Sequence, residues 1–355
     1  MAKLFKTALV IALAMLASPV AADEVADFYR GKDIKIVIRA SPGGNYDSYS
    51  RVLGRHIGKY IPGNPNVIPV NMPGAGGLTA LNYLTSLAPH DGTMLTIVTP
   101  TMPMDQALGR IQKFGLDMRK LNWIGNMSDE NFFLVTSRAS ATKTFEDAKH
   151  RVTPLGGTGA GDAGTSVVLI VNNILGTKFK IVNGYRSSPE LNMAMERGEM
   201  EARPTSNLKA LFAAAATRPG SQGAGDYHVI LQIGMKKDAD YPNVPLLRDL
   251  AQNDADKLVF DFLSRSMSIA RPVATNQDVP AARVAALRHA FDETMKDPAF
   301  ITESHNLQLD IAAMPGAELQ KLVGDIVDTP KAVADRINAT LQQGASTTKR
   351  TAPPK

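Results

Sequence analysis

The sequence predicts an α/β protein of two domains, each a mostly parallel sheet flanked by helices. Short β-branched runs alternate with stretches of helical period, the signature of strand, crossover helix, strand. That alternation starts afresh after residue 125, and 355 residues exceed a single ordinary domain of roughly 150. An apolar fraction of 44% excludes a wholly disordered chain. The absence of cysteine excludes disulfide staples, thiolate metal sites, a lipid-carrying cysteine anchor and cysteine nucleophiles.

Residues 1–22 read as a secretory signal peptide. Lys3 and Lys6 precede an apolar run from Ala8 to Ala17, followed by Pro19 and the small residues Val20, Ala21 and Ala22. A membrane anchor needs about 18 apolar residues, and Ser18-Pro19 interrupts the run before that. Without the two signal lysines the formal charge falls from +5 to +3, which is no footprint for a nucleic acid. The mature chain is therefore expected to be exported, with residues 346–355 a loose polar tail.

Each element has its own local reason. Ile34 to Ile38 is a β-branched strand closed by Ser41-Pro42-Gly43-Gly44, and Tyr49, Val52, Leu53 and Ile57 then recur at helical spacing up to Pro62-Gly63. Val67 to Val70 is a second strand, ending in the glycine-rich Asn71 to Gly77. A helix with Leu81, Leu84 and Ala88 on one face and a strand from Thr93 to Val98 follow. Beyond residue 125 the predicted strands are Phe132–Val135, Arg151–Leu155, Phe179–Val182 and Glu199–Arg203. Helices are expected around Val167–Leu175, Leu191–Met195, Val284–Phe291 and Leu319–Ile326.

The same strand–loop–helix device occurs once in each half: Val37 to Asp47, and Leu155 to Asp162. Glycine lets backbone approach a ligand, and the first turn of a helix offers unpartnered N–H groups with a favourable dipole for anions. Taken singly, either loop also reads as an ordinary tight βα turn. The second loop holds Gly159, Gly161 and Gly164 as G-x-G-x-x-G, but the acid that would hold a ribose is missing after Phe179–Val182, which argues against a dinucleotide. The six histidines form no close ligand pair, and there is no G-x-S-x-G elbow or P-loop. No catalytic residue, metal site or cofactor is expected.

These motifs together resemble the extracytoplasmic solute receptors of the tripartite tricarboxylate transporter family, the Bug receptors. The likeness runs from about Ile34 to Leu341 and rests on Pro42-Gly43-Gly44 with Asp47, Asn71 to Gly77, and Pro89-His90-Asp91-Gly92-Thr93. Gly157 to Gly159, Val182 with Tyr185, Pro242-Asn243-Val244-Pro245 and Val279-Pro280-Ala281 continue it in the same order. The resemblance implies a two-lobed, type II-like periplasmic binding protein with two crossovers, closing on its ligand by a hinge. Residues 23–124 with 236–345 would form lobe 1, and 125–235 lobe 2.

The resemblance also implies a grip on a carboxylate by backbone and hydroxyl groups. In this sequence those positions are Ser41, Gly43, Gly44, Asn45 and Thr101 on one side, and Thr158, Gly159, Gly161, Thr165 and Tyr185 on the other. Asp47 and Asp162 are read either as caps accepting backbone N–H groups or as cleft residues favouring a ligand with hydroxyl or amine donors. Arg203 is either a surface residue past a strand end or a bidentate carboxylate clamp. Arg39 is read as structural. The expected function is capture of a small mono- or dicarboxylate by a monomeric receptor, for delivery to membrane permease subunits. The alternatives are an exported hydrolase or lyase using His90 or Asp162 as base, and a ligand receptor for a membrane sensor.

Overall fold

The computed structural model describes residues 18–43, 45–111, 115–129, 131–157, 163–185 and 188–347. Its strands are, in chain order, β1 (Asp33–Ile38), β2 (Asn66–Asn71), β3 (Met94–Ile97), β4 (Asn122–Asn126), β5 (Phe132–Ser137), β6 (Thr153–Gly157), β7 (Phe179–Asn183), β8 (Ala202–Thr205), β9 (Tyr227–Ile233), β10 (Pro272–Thr275) and β11 (Met314–Pro315). They form a six-stranded sheet in the order β11-β4-β10-β3-β1-β2 and a five-stranded sheet in the order β7-β6-β8-β5-β9.

Both sheets are mixed. In the first, β1 runs parallel to β2 and β3, whereas β10 is antiparallel to β3 and β4. In the second, β6 runs parallel to β7 and β8, and β5 is antiparallel to β8 and β9. The parallel neighbours are the strands the sequence alternation located. The reversed strand β10 is a fully buried run of four residues led by a proline, too short to show a period.

Each sheet is a two-sided core layer. Ile34, Ile36 and Ile38 of β1 pack with Tyr49, Val52, Leu53 and Ile57 of the helix Asn45–Ile57, and with Leu287 and Phe291 of the helix Ala281–Lys296. Val37 points the other way, onto Ala80 and Leu84 of the helix Leu78–Ser86. Each such aliphatic side chain contributes roughly 1.5–3 kcal/mol when fully buried, which fixes the register of β1. In the second sheet Phe133 and Val135 pack on Leu208 and Leu211 of the helix Leu208–Ala216.

The chain divides into two compact units: Met1–Pro100, Asp117–Asp129 and Ala270–Val323 form the first, and Thr101–Leu116, Glu130–Ile269 and Gly324–Lys355 the second. The chain thus passes between these units at five points, and 236–269 with 324–345 lie in the second unit. Specific bonds account for this. Gln232 Nε2 of β9 donates to the carbonyls of Tyr241 and Val244, at 3.0 and 2.9 Å. Arg336 pairs with the buried Asp256, and Asn173 donates to the Thr340 carbonyl at 3.0 Å. These contacts tie the helices Asp254–Met267 and Lys331–Thr347 to the second sheet's own helices. The last helix also carries two residues into the expected tail. At the other end the helix Ser18–Tyr29 spans the expected cleavage position, and its Val25 and Tyr29 are buried in the first core. Among the described residues no helix is long and apolar enough to cross a membrane.

Candidate functional site

Parallel strands gather their following loops at one sheet edge, where α/β proteins bind ligands. In the first unit that edge receives the turn Ser41–Gly43 after β1, Asn71 at the end of β2, and Thr99 just after β3. Ser41, Pro42, Gly43 and Asn45 are exposed, and Gly43 has φ +85°, a conformation that favours glycine. Gly44 lies outside the described residues.

Asp47 holds this turn in place. Its Oδ2 accepts from Gly43 N at 2.9 Å and from Arg51 Nε at 2.9 Å, while Oδ1 accepts from Asn71 Nδ2 at 2.9 Å. The same Asn71 Nδ2 donates to the Ala40 carbonyl at 2.8 Å, and Arg51 Nη2 donates to Asn71 Oδ1 at 2.8 Å. Asp47 is only 5% exposed, and the Arg51 hydrogen bond leads the causes that hold its carboxyl down at about 2. It accepts a backbone N–H, as the cap reading expects, but from the turn preceding the helix. Its role is to clamp the turn against β2.

Beside the turn stands a cluster that the motifs did not reveal. The Arg39 guanidinium lies over the Tyr46 ring, 3.8 Å from its centre, and donates to the Gly76 carbonyl at 3.3 Å. The Arg271 guanidinium lies 4.9 Å from the centre of that same ring and 4.8 Å from the Tyr49 ring. The two cations are therefore at most about 8.7 Å apart, the sum of their distances to Tyr46. At an effective dielectric near 20 they repel by about 2 kcal/mol, less where solvent screens Arg39. Thr99 Oγ1 donates to Gly76 O at 2.6 Å, and a Cβ on Gly77 (φ +102°) would meet that hydroxyl, so this loop must carry glycine. Arg271 was hidden in the sequence because it precedes β10, a strand with no periodic signal.

In the second unit β6 ends at Gly157 and β7 at Asn183, with the helix Ala163–Leu175 beyond. A Cβ on Gly157 would lie 2.5 Å from Thr165 Oγ1 and 2.8 Å from Asn183 Oδ1, so the three residues converge at the strand ends. Thr165 is buried, and Asn183 Oδ1 is buried without a hydrogen-bond partner among the described residues. Thr158, Gly159, Gly161 and Asp162 lie outside the described residues. Tyr185 is half-buried, packs against Leu191 and Met195, and reaches Glu199 at 3.5 Å; burial pushes its phenol up.

Arg203 departs from the surface reading. β8 begins and ends later than predicted, so Arg203 sits inside the strand at 4% exposure. Its Nη1 is hydrogen-bonded to Asn192 and its Nε donates to the Pro204 carbonyl at 3.2 Å. Thr101 turns its hydroxyl to Asp105, whose carboxyl is raised chiefly by burial. His90 precedes β3 and bonds Asp278 at 2.9 Å, which puts it at the opposite sheet edge from the Ser41–Gly43 turn. A concavity of about 580 Å³ in the second unit, lined in part by Ser140, Glu201, Arg218 and Tyr227, likewise lies at the start of β8, away from Gly157. Its acids are paired, Glu201 with Arg151 at 2.6 Å and Glu196 with Arg218 at 2.8 Å.

Two α/β units with glycine-bearing loops at the strand ends match the architecture of periplasmic solute-binding proteins. A structure of a TctC solute binding protein from Polaromonas superposes with TM-score 0.64 at 16% identity, covering 90% of this chain and all of that one. An R. palustris structure with adipate gives TM-score 0.62 at 15% identity, covering 88% and 98%. The UPF0065 protein in the gbd 5′ region of Cupriavidus necator is 24% identical over 334 residues, 92% of this chain and 93% of its own length. The family model described as tripartite tricarboxylate transporter family receptor matches residues 51–339, and the chain belongs to that family.

Proposed function

We propose that this receptor captures a small organic carboxylate in the periplasm and presents it to the permease subunits of a tripartite tricarboxylate-type transporter. The observation that carries the reading is the exposed Ser41–Gly43 turn, clamped by Asp47, Arg51 and Asn71 at the strand-end edge of a chain from this family. A relative of the same fold holds adipate, a carboxylate. Ser41, Gly43 and Asn45 are the proposed donors in the first unit. Asp47 positions rather than contacts the ligand. Residues 1–22 serve as a cleaved signal, and the mature chain works as a monomer without a cofactor. Binding rather than turnover is favoured because His90, one of the two candidate bases, stands at the other sheet edge, while Asp162 lies outside the described residues.

Micromolar capture requires about 8 kcal/mol, within reach of several charge-assisted hydrogen bonds. Titration calorimetry against a panel of organic acids, on protein stripped of co-purified ligand, tests the reading. One site per chain with micromolar affinity for a carboxylate is expected; absence of heat and of thermal stabilisation with every acid contradicts it.

A further inference from the structure

We infer that Arg39 and Arg271, with Tyr46 shared by both, form an anion subsite that takes a second carboxylate of the ligand, so that the substrate class is dicarboxylates. This rests on the carboxylate-receptor reading above and narrows it.

Neither arginine has a carboxylate partner among the described residues. Arg51, Arg151, Arg248 and Arg336 pair with Asp47, Glu201, Asp261 and Asp256, and the unpaired Arg288 directs its Nε to the Trp123 carbonyl, whereas Arg39 and Arg271 each keep a buried Nε without an acceptor among the described residues. Arg271 is 5% exposed, its Nη1 donates only to its neighbour's carbonyl, Ala270 O at 2.8 Å, and its Nε is buried without an acceptor. Arg39 Nε is also buried without an acceptor. A guanidinium carries five N–H donors, and stacking on a ring satisfies its face but none of those donors. A chain that buries a cation normally supplies its counter-charge. Here two cations meet one tyrosine and the described residues supply none. Their site is the strand-end edge that also presents Ser41, Gly43 and the Gly74–Gly77 loop, so an anion entering there meets guanidinium donors that lack an acceptor. Planar guanidinium groups suit a carboxylate bound through two oxygens.

The test is calorimetry with α,ω-dicarboxylates from succinate to adipate and with the monoamide of each, on the stripped wild type, R39Q, R39K and R271K. The best dicarboxylate is expected to bind about 30-fold or more tighter than its own monoamide, the range for charged hydrogen bonds. R39Q abolishes that preference by weakening the dicarboxylate about 30-fold while the monoamide changes less than about threefold, and R39K restores part of it. Arg39 is only half-buried, so R39Q carries the test even where R271K fails to fold, with thermal unfolding as the check. Equal losses for acid and monoamide, or no loss, overturn the inference. Wild-type binding of monocarboxylates without preference for dicarboxylates overturns it while leaving the receptor reading intact. Absence of binding to every carboxylate overturns both.

Discussion

The Asp47 clamp makes a quantitative prediction about stability. Its carboxyl titrates at about 2 in the folded chain against an ordinary 3.8, a gap of about 1.8. At 1.36 kcal/mol per pH unit this corresponds to about 2.4 kcal/mol, and since Arg51 is 39% exposed we take about 2. Because the folded value is depressed, the contribution is complete above pH 5, falls through the region between 3.8 and 2, and vanishes below about 2. Asp47→Asn retains the shape and removes the charge. Urea unfolding at pH 7 should show the variant about 2 kcal/mol less stable, or roughly 4–8 °C lower in Tm for a unit of this size. The deficit should shrink as the pH is lowered towards 2. A deficit independent of pH, or one below about 0.5 kcal/mol at pH 7, refutes the clamp as the origin of the loop's fixed position.

Other substitutions probe separate parts of the chain. Gly157→Ala drives a methyl group onto Thr165 and Asn183, and should cost about 1–3 kcal/mol and at least about tenfold in carboxylate affinity, read by thermal unfolding and calorimetry. Arg336→Met leaves the buried Asp256 without its cation and should destabilise the second unit by about 1–3 kcal/mol, with Asp256→Asn in the same background recovering part of the loss. Intact-mass measurement of the exported protein should place the mature N-terminus at Asp23; a mass retaining residues 1–22 contradicts the signal reading.

Much of the fold was legible because it rests on side-chain period. β1, β2, β3 and β7 fall within one residue of their predicted limits, and in β1 and β7 every second residue, Ile34, Ile36 and Ile38 or Phe179 and Ile181, is buried. β4 and β10 escaped because both are short and lie inside the sheet, where neighbours rather than pattern decide. The Ser41–Gly43 turn was visible as a loop through its glycines, but the role of Asp47 was not. Its partners Asn71 and Arg51 come from a separate strand and the next helical turn, and only the assembled sheet brings them together. Arg39 was read as structural for the same reason. Its significance depends on Arg271, 232 positions away in the sequence, meeting the same ring of Tyr46. Of the two readings of Arg203, the surface one rested on a strand boundary, and a shift of a few residues turns that strand-end position into a buried one.

The most direct examination is native mass spectrometry of the protein purified gently from the periplasm of cells grown on mixed organic acids. Capture without chemical change predicts one small acid per chain, released intact on denaturation and carrying two carboxylates. A ligand-free chain that also ignores added acids, a bound molecule lacking any carboxylate, or a released product differing from the acid supplied would contradict it.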